Sequence, residues 1–336
     1  MTRRAFIAAS AALLANPVSA LTGRRPVVIA HRGASGERPE HTELAYRLAI
    51  EEGCDFIEPD LVLSKDGVLV ARHENEIAGT TDVASKAEFA DRKTTKTIDG
   101  AQVEGWFTED FTLAELKTLR ARERLPQLRP ASAKFDGMAK IMTFDEVATL
   151  AKLESRRTGR TIGVYPEMKH PSFLASVGLP IEGRLAEALK KNELDAHDAP
   201  VFVQCFEAAP LKTFKTLSKA RRVQLVGRET PEMVTAEGLK AISQYADGVG
   251  PDWSLVLPTV DGALTRGKLV ENAHAVGLAV HPWTVRAENA FLPKSLQRGD
   301  SPAAHGDVDA LFAALWAAGV DGLFSDFPGL AVKSRG

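Results

Sequence analysis

From about residue 161 to its end the chain alternates short apolar runs with helical ones, and this limits the possible folds more than any other feature. TIGVYPEMK (161–169) precedes a helix over Glu182–Lys191, and PVFVQCF (200–206) precedes one over Ala208–Ser218. RVQLVG and YADGVG come next, then a helix over Lys268–Val276, LAVHPWTV, a helix over Val308–Ala318, and VDGLFSDFP. Strands joined through helices run parallel, because each crossover returns the chain to the same end of the sheet. Further upstream lie PVVIAH (26–31), a helix over 42–53, and the pair CDFIEPDLVL and VLVARH. That makes nine strand candidates, one more than a (β/α)8 barrel uses. An antiparallel return by VLVARH would account for the excess, and so would a false YADGVG. The expected fold is a TIM (β/α)8 barrel with a polar insertion over about 76–130 that ends in a helix near Leu113–Arg122. A doubly wound open sheet is the alternative.

The stretch Cys54–Glu74 carries the first chemical signal. Ser64-Lys65-Asp66-Gly67 separates its two apolar runs, and Asp-Gly marks a hairpin because Gly accepts the positive φ of a tight turn. With Asp66 and Gly67 alone as the loop, Asp60 lies opposite His73. With all four residues as the loop, Glu58 does. Either register puts Glu58, Asp60 and His73 on one face. Carboxylate oxygens suit one hard divalent cation, Mg²⁺ or Ca²⁺, and the imidazole suits proton transfer beside it.

Other polar residues end other strand candidates: His31-Arg32, Glu167 and Lys169, Gln204, Trp283-Thr284, and Ser325-Asp326. A βα barrel gathers such ends at one face, where active sites form. Taken singly, Lys169 reads as a solvated cation, Gln204 as a satisfied amide and Trp283 as packing. Taken together, three carboxylates, two histidines and two cations fit phosphodiester hydrolysis. Glu58, Asp60 and Glu167 would hold the cation, His31 and His73 would exchange protons, and Arg32 and Lys169 would meet the phosphate. No G-x-S-x-G elbow, P-loop or G-x-G-x-x-G occurs.

HRGASGERPEHT (31–42), EPDLVLSKDG (58–67), RHE (72–74), YPEMKHPSF (165–173), VQCF (203–206), HPWTVRAENAFLP (281–293) and GVDGLFSDFP (319–328) resemble the ordered motifs of glycerophosphodiester phosphodiesterases. TTDV, DFTLAELK and LRARERLPQLRP in the insertion resemble the longer, exported form of that family. The resemblance implies a TIM barrel that cleaves glycerophosphodiesters to sn-glycerol 3-phosphate and an alcohol. It implies the acid/base pair His31 and His73, cation ligands Glu58, Asp60 and Glu167, and phosphate contacts from Arg32 and Lys169. Gln204 and Trp283 complete the expected substrate site. Two positions depart from the common pattern, His41 where many members have Asn and Glu74 where many have Asp. Both bear on the hydrogen bonds that orient Glu58 and His73.

Residues 1–20 read as an export signal. Arg3-Arg4 precede an apolar run and Val18-Ser19-Ala20 forms a cleavage pattern, similar to a twin-arginine leader. The mature chain, residues 21–336, is then expected in the periplasm or outside the cell. Removing Arg3 and Arg4 from the 42 basic residues leaves 40 against 44 acidic ones, no footprint for nucleic acid. Two cysteines, Cys54 and Cys205, are too few for a disulfide framework and read as buried packing. The expected partner is a small glycerophosphodiester, with no stable membrane insertion. Two further readings stay open: a related barrel phosphodiesterase acting on an intact phospholipid, with the apolar loop Pro171–Pro180 touching the membrane, and a phosphodiester-binding protein without catalysis.

Overall fold

The computed structural model describes residues 25–336, so the export-signal reading lies outside the described residues. Eight parallel strands close into a barrel. The first strand, Val27–His31, pairs with the second, Phe56–Glu58 continued past Pro59 as Asp60–Leu63. The third, Gly163–Val164 and Glu167–Met168, follows on the other side of the second. Next come Phe202–Cys205, Arg221–Val226, Gly248–Pro251 and Ala279–Val280, each parallel to the one before. The eighth, Gly322–Ser325, pairs with the first, and the Val285–Ser325 bridge joins it to the seventh. Closure removes the open-sheet alternative, and YADGVG contributes a true barrel strand.

The ninth candidate is the hairpin return. Leu69–Ala71 runs antiparallel to the second strand, in neither expected register: Leu61 faces Ala71, Val62 faces Val70 and Leu63 faces Leu69. Asp60 therefore lies opposite Arg72, whose amide donates to the Asp60 carbonyl at 3.0 Å. Alternation in that register would turn His73 away from Asp60. The chain instead leaves the strand after Ala71, and a bend at 73–75 returns His73 to the barrel mouth.

Both faces of this hairpin are buried. Leu61, Leu63, Leu69 and Ala71 join the main core between strands and helices. Val62 and Val70 join a second core with Ile77, Phe89, Phe111 and Ile141, so the inserted segment is a packed layer over the hairpin rather than a polar surface loop. It contains its own hairpin, Thr94–Ile98 with Ala101–Gly105, turning at Asp99-Gly100 with both φ positive. Its expected helix shrinks to one turn, Leu113–Leu116, started by a capping box between Thr112 and Glu115.

Most helices fall near their expected places: Glu43–Glu51, Ile181–Lys191, Ala208–Leu217, Leu269–Ala275 and Val308–Ala318. The longest, Phe144–Thr158, was not anticipated, although Thr143 and Glu146 box its start and Gly159 caps its end at φ 69°. Pro171–Ser176 forms a short helix that buries Leu174. Among the described residues no helix is long and apolar enough to cross a membrane. Cys54 and Cys205 are buried and unpaired, as expected. Inside the barrel Ile29, Phe56, Tyr165, Phe202, Val223 and Phe324 form an apolar plug, and the site sits on top of it.

Candidate active site

Strand register brings the polar ends together. His31 pairs with Glu58, Asp60 with Glu167, and Glu167 with Gln204, all at the C-terminal ends of neighbouring strands. A cavity of about 210 Å³ opens there, lined by every expected site residue except Asp60, which is 1% exposed. Phe206, Arg286 and Phe324 also line it.

After the first strand the backbone turns sharply, with Arg32 at φ 60° and Gly33 at φ 85°. A Cβ on Gly33 would stand 2.7 Å from the Ala45 backbone, so only glycine lets this turn pack on the first helix. The turn aims the Arg32 amide at Glu58 Oε2, 2.8 Å away. Left-handed backbone at a non-glycine residue is the kind of strain that clusters at functional sites. The Arg32 side chain binds Asp60 and Glu40, each at 3.1 Å.

Glu58, Asp60 and Glu167 each offer an oxygen within 4.8 Å of the others. Burial raises Glu58 well above the usual carboxylate range, and Asp60 and Glu167 push it further. Glu167 is pushed up to about 8 by burial and Asp60, against the pull of Lys169 at 2.8 Å. Asp60 lies well below the usual range, because Lys169 and Arg32 overcome the effect of burial. Asp60 Oδ1 and Gln204 Oε1 have no hydrogen-bond partner although both are buried. Three oxygen donors, two of them resisting ionisation and one with a lone oxygen left over, fit a hard divalent cation.

His41 and Gln204 orient the triad. His41 Nε2 lies 2.9 Å from Asp60 Oδ2 and its Nδ1 2.9 Å from the Tyr46 hydroxyl, so His41 supports Asp60 rather than Glu58. Gln204 Nε2 donates to Glu58 Oε1 at 3.0 Å. Trp283 is held by its own Nε1, which donates to the Gly250 carbonyl at 2.7 Å, and its ring meets Phe206 edge-on at 5.3 Å.

Each histidine rests on its own carboxylate. His31 Nδ1 lies 2.5 Å from Asp326 Oδ1, and His73 Nδ1 lies 2.5 Å from Glu74 Oε1. A carboxylate at Nδ1 keeps the proton there and leaves Nε2 bare. Lys169 Nζ lies 3.2 Å from His73 Nε2. His31 is pushed down to about 4 by burial and then Arg32, against Asp326. His73 is pushed down to about 3 by burial, Arg32 and Lys169. Four arginine and carboxylate partners went unassigned in the sequence: Arg124, Arg129, Arg286 and Asp326. Asp326 follows the eighth strand and is one of the polar strand ends the sequence singles out, there without a role.

Residues 31–330 match the glycerophosphoryl diester phosphodiesterase family. The chain belongs to that family. A glycerophosphodiester phosphodiesterase of Arabidopsis thaliana is 38% identical over 330 residues, covering 91% of this chain and 84% of the relative. One from Haemophilus influenzae is 31% identical, covering 91% and 89%. A phosphodiesterase of Oleispira antarctica, solved in complex with its product sn-glycerol-3-phosphate, superposes with a TM-score of 0.63 at 22% identity, covering 94% of this chain and 98% of that one. At that identity the likeness supports the shared barrel fold.

Proposed function

We propose that this enzyme hydrolyses water-soluble glycerophosphodiesters to sn-glycerol 3-phosphate and an alcohol, using one Mg²⁺ or Ca²⁺ held by Glu58, Asp60 and Glu167. The observation that carries the reading is the pair of carboxylate-anchored histidines facing one cavity with Glu58 and Glu167 of that triad. A cation bound there supplies positive charge to a non-bridging phosphate oxygen. Arg32 and Lys169 add fixed charge for the phosphate. One histidine takes a proton from the attacking hydroxyl, and the other gives one to the departing alcohol. In the free fold both rings stay neutral, and after burial the cause is the nearby cations Arg32 and, at His73, Lys169. A phosphate anion between those cations offsets them, so substrate binding favours charging the ring that must act as acid.

The soluble-substrate reading is supported by the loop at 171–180, where Leu174 is fully buried and Phe173 and Leu179 pack on the main core. Export through a twin-arginine leader remains part of the proposal and rests on residues 1–20. The test is a panel of glycerophosphocholine, glycerophosphoethanolamine and glycerophosphoglycerol, with intact phosphatidylcholine vesicles beside it, assayed in chelator and after cation is restored. Release of glycerol 3-phosphate from the deacylated diesters alone is the expected result. Binding without release would leave a phosphodiester-binding protein.

A further inference from the structure

The inserted segment reaches the site through two arginines that the hydrolysis above does not use directly. Arg124 forks onto Glu74, Nη1 to Oε1 at 3.0 Å and Nη2 to Oε2 at 2.7 Å. It also meets both oxygens of Glu40, at 2.9 and 2.6 Å. Glu74 is the carboxylate on His73 Nδ1. Five residues later, Arg129 donates to Asp326 Oδ2 at 2.5 Å, to Glu288 Oε1 at 2.6 Å and to the Ser35 carbonyl at 2.9 Å. Asp326 is the carboxylate on His31 Nδ1. Both histidines thus end the same three-part chain of ring, carboxylate and guanidinium, and both guanidinium groups come from one short stretch of the insertion.

The segment has packing of its own beside these contacts. It is packed by Phe89, Trp106, Phe111 and Leu116 and stitched by the Thr81–Ala121 bridge. Glu74 gains the most from its clamp, since its side chain is 35% exposed and without Arg124 has room to swing away from His73. Asp326 is buried and is pulled on Oδ2 by Arg286 as well, at 3.0 Å.

We propose that Arg124 and Arg129 are positioning residues that fix the carboxylates behind His73 and His31, holding each ring as the Nδ1–H tautomer with Nε2 aimed into the cavity. This rests on the proposed diester hydrolysis. Removal of such an outer partner typically costs about 10- to 100-fold. The loss falls on proton transfer, so it depends on the leaving group for whichever histidine is the acid. Choline leaves as a poorly stabilised alkoxide and needs a proton, whereas p-nitrophenolate leaves without one.

The test compares wild type, Arg124→Met, Arg124→Lys and Arg129→Lys on glycerophosphocholine and glycerol 3-phospho-p-nitrophenol, with melting curves for each. Asp326→Asn serves as the second probe of the His31 side should the Arg129 variant not fold. Expected is a fall of about 10- to 100-fold in kcat on the choline ester, with KM and the half-saturating cation concentration within about twofold. On one side, His73 or His31, most of that loss should vanish with the p-nitrophenyl ester. Arg124→Lys keeps the charge without the fork and should recover only part of the rate. Folded variants that keep full kcat, that lose equally on both esters on both sides, or that shift the cation requirement overturn the inference while leaving hydrolysis standing. A wild-type enzyme inactive on both esters removes the proposed hydrolysis, and this inference with it.

Discussion

Replacing Glu58 by Gln should stabilise the metal-free enzyme while abolishing its response to cation. In the metal-free fold Glu167 titrates near 8, through burial and Asp60, against 4.5 for a free glutamate. Between those values the folded chain keeps a proton that the unfolded chain has released. Metal-free stability is therefore greatest at the acid end of that window and falls as the pH rises through 8. Glu58 is displaced in the same direction by burial and by Asp60 and Glu167. A cation at about a hundred times its Kd adds about 2.7 kcal/mol. Unfolding entropy near 2.1 cal/mol/K per residue, over the roughly 310 described residues, amounts to about 0.65 kcal/mol/K. The wild-type Tm should then rise by about 4 °C on adding Mg²⁺ or Ca²⁺ at pH 8, and by less at pH 6, where the cation must first displace protons. Gln at 58 keeps the side-chain shape and can still accept from the Arg32 amide. Gln204, whose Oε1 has no partner, can turn its amide to accept from the new NH₂. One like charge is gone, and the turned amide exchanges one unpartnered buried atom, Gln204 Oε1, for another, its NH₂, so removal of the charge decides the sign and the variant in chelator should melt above wild type in chelator at pH 8. Excess cation should move it by less than about 1 °C. Calorimetry in chelator and in cation reads all four values. A wild-type Tm unmoved by any divalent ion, or a variant that melts below wild type in chelator, refutes the triad as a cation site.

Three further outcomes follow from the same structure. A glycerophosphodiester with its 2-hydroxyl replaced by hydrogen should be cleaved far more slowly than the parent if that neighbouring hydroxyl is the nucleophile, since an oriented neighbour can be worth up to ~10⁵–10⁸ M; equal rates in a product-release assay would establish attack by water. His31 titrates near 4 in the fold against 6.5 when free, so stability should fall as pH drops from about 6.5 to 4, by up to roughly 3 kcal/mol, and His31→Gln should flatten that part of a Tm-versus-pH curve relative to wild type. With Arg3 and Arg4 both changed to Lys, the precursor should remain in the cytoplasm on fractionation; normal export would indicate the general secretory route.

The barrel was legible because several of its strands close on polar residues at the same end. His31, Glu58, Glu167, Gln204 and Asp326 each close an apolar run, and a parallel barrel has one place to put such ends. The helix Phe144–Thr158 carries equally plain end signals, Thr143 with Glu146 at its start and Gly159 at its end. Its residues follow the polar insertion directly, and no strand run sets them apart from it. Asp99-Gly100 likewise announced the hairpin that the insertion contains.

The hairpin register had no such signal, for a physical reason. Alternation fixes register only where one face of a strand is buried and the other wet, so that a slip by one residue exposes the core set. Here Leu61 and Leu63 face one core while Val62 faces the other, and Leu69 and Ala71 against Val70 repeat the pattern. Any register buries apolar side chains on both sides, so composition is silent about which one forms. The partner of the outer face is the insertion, contributed by residues tens of positions downstream. The same long-range packing delivers Arg124 and Arg129 to carboxylates that lie beside them nowhere in the sequence. The acids and histidines announced themselves because their chemistry is local to strand ends. The two arginines that clamp their carboxylates come from a layer whose place is set only once the barrel, the hairpin and the second core have formed together.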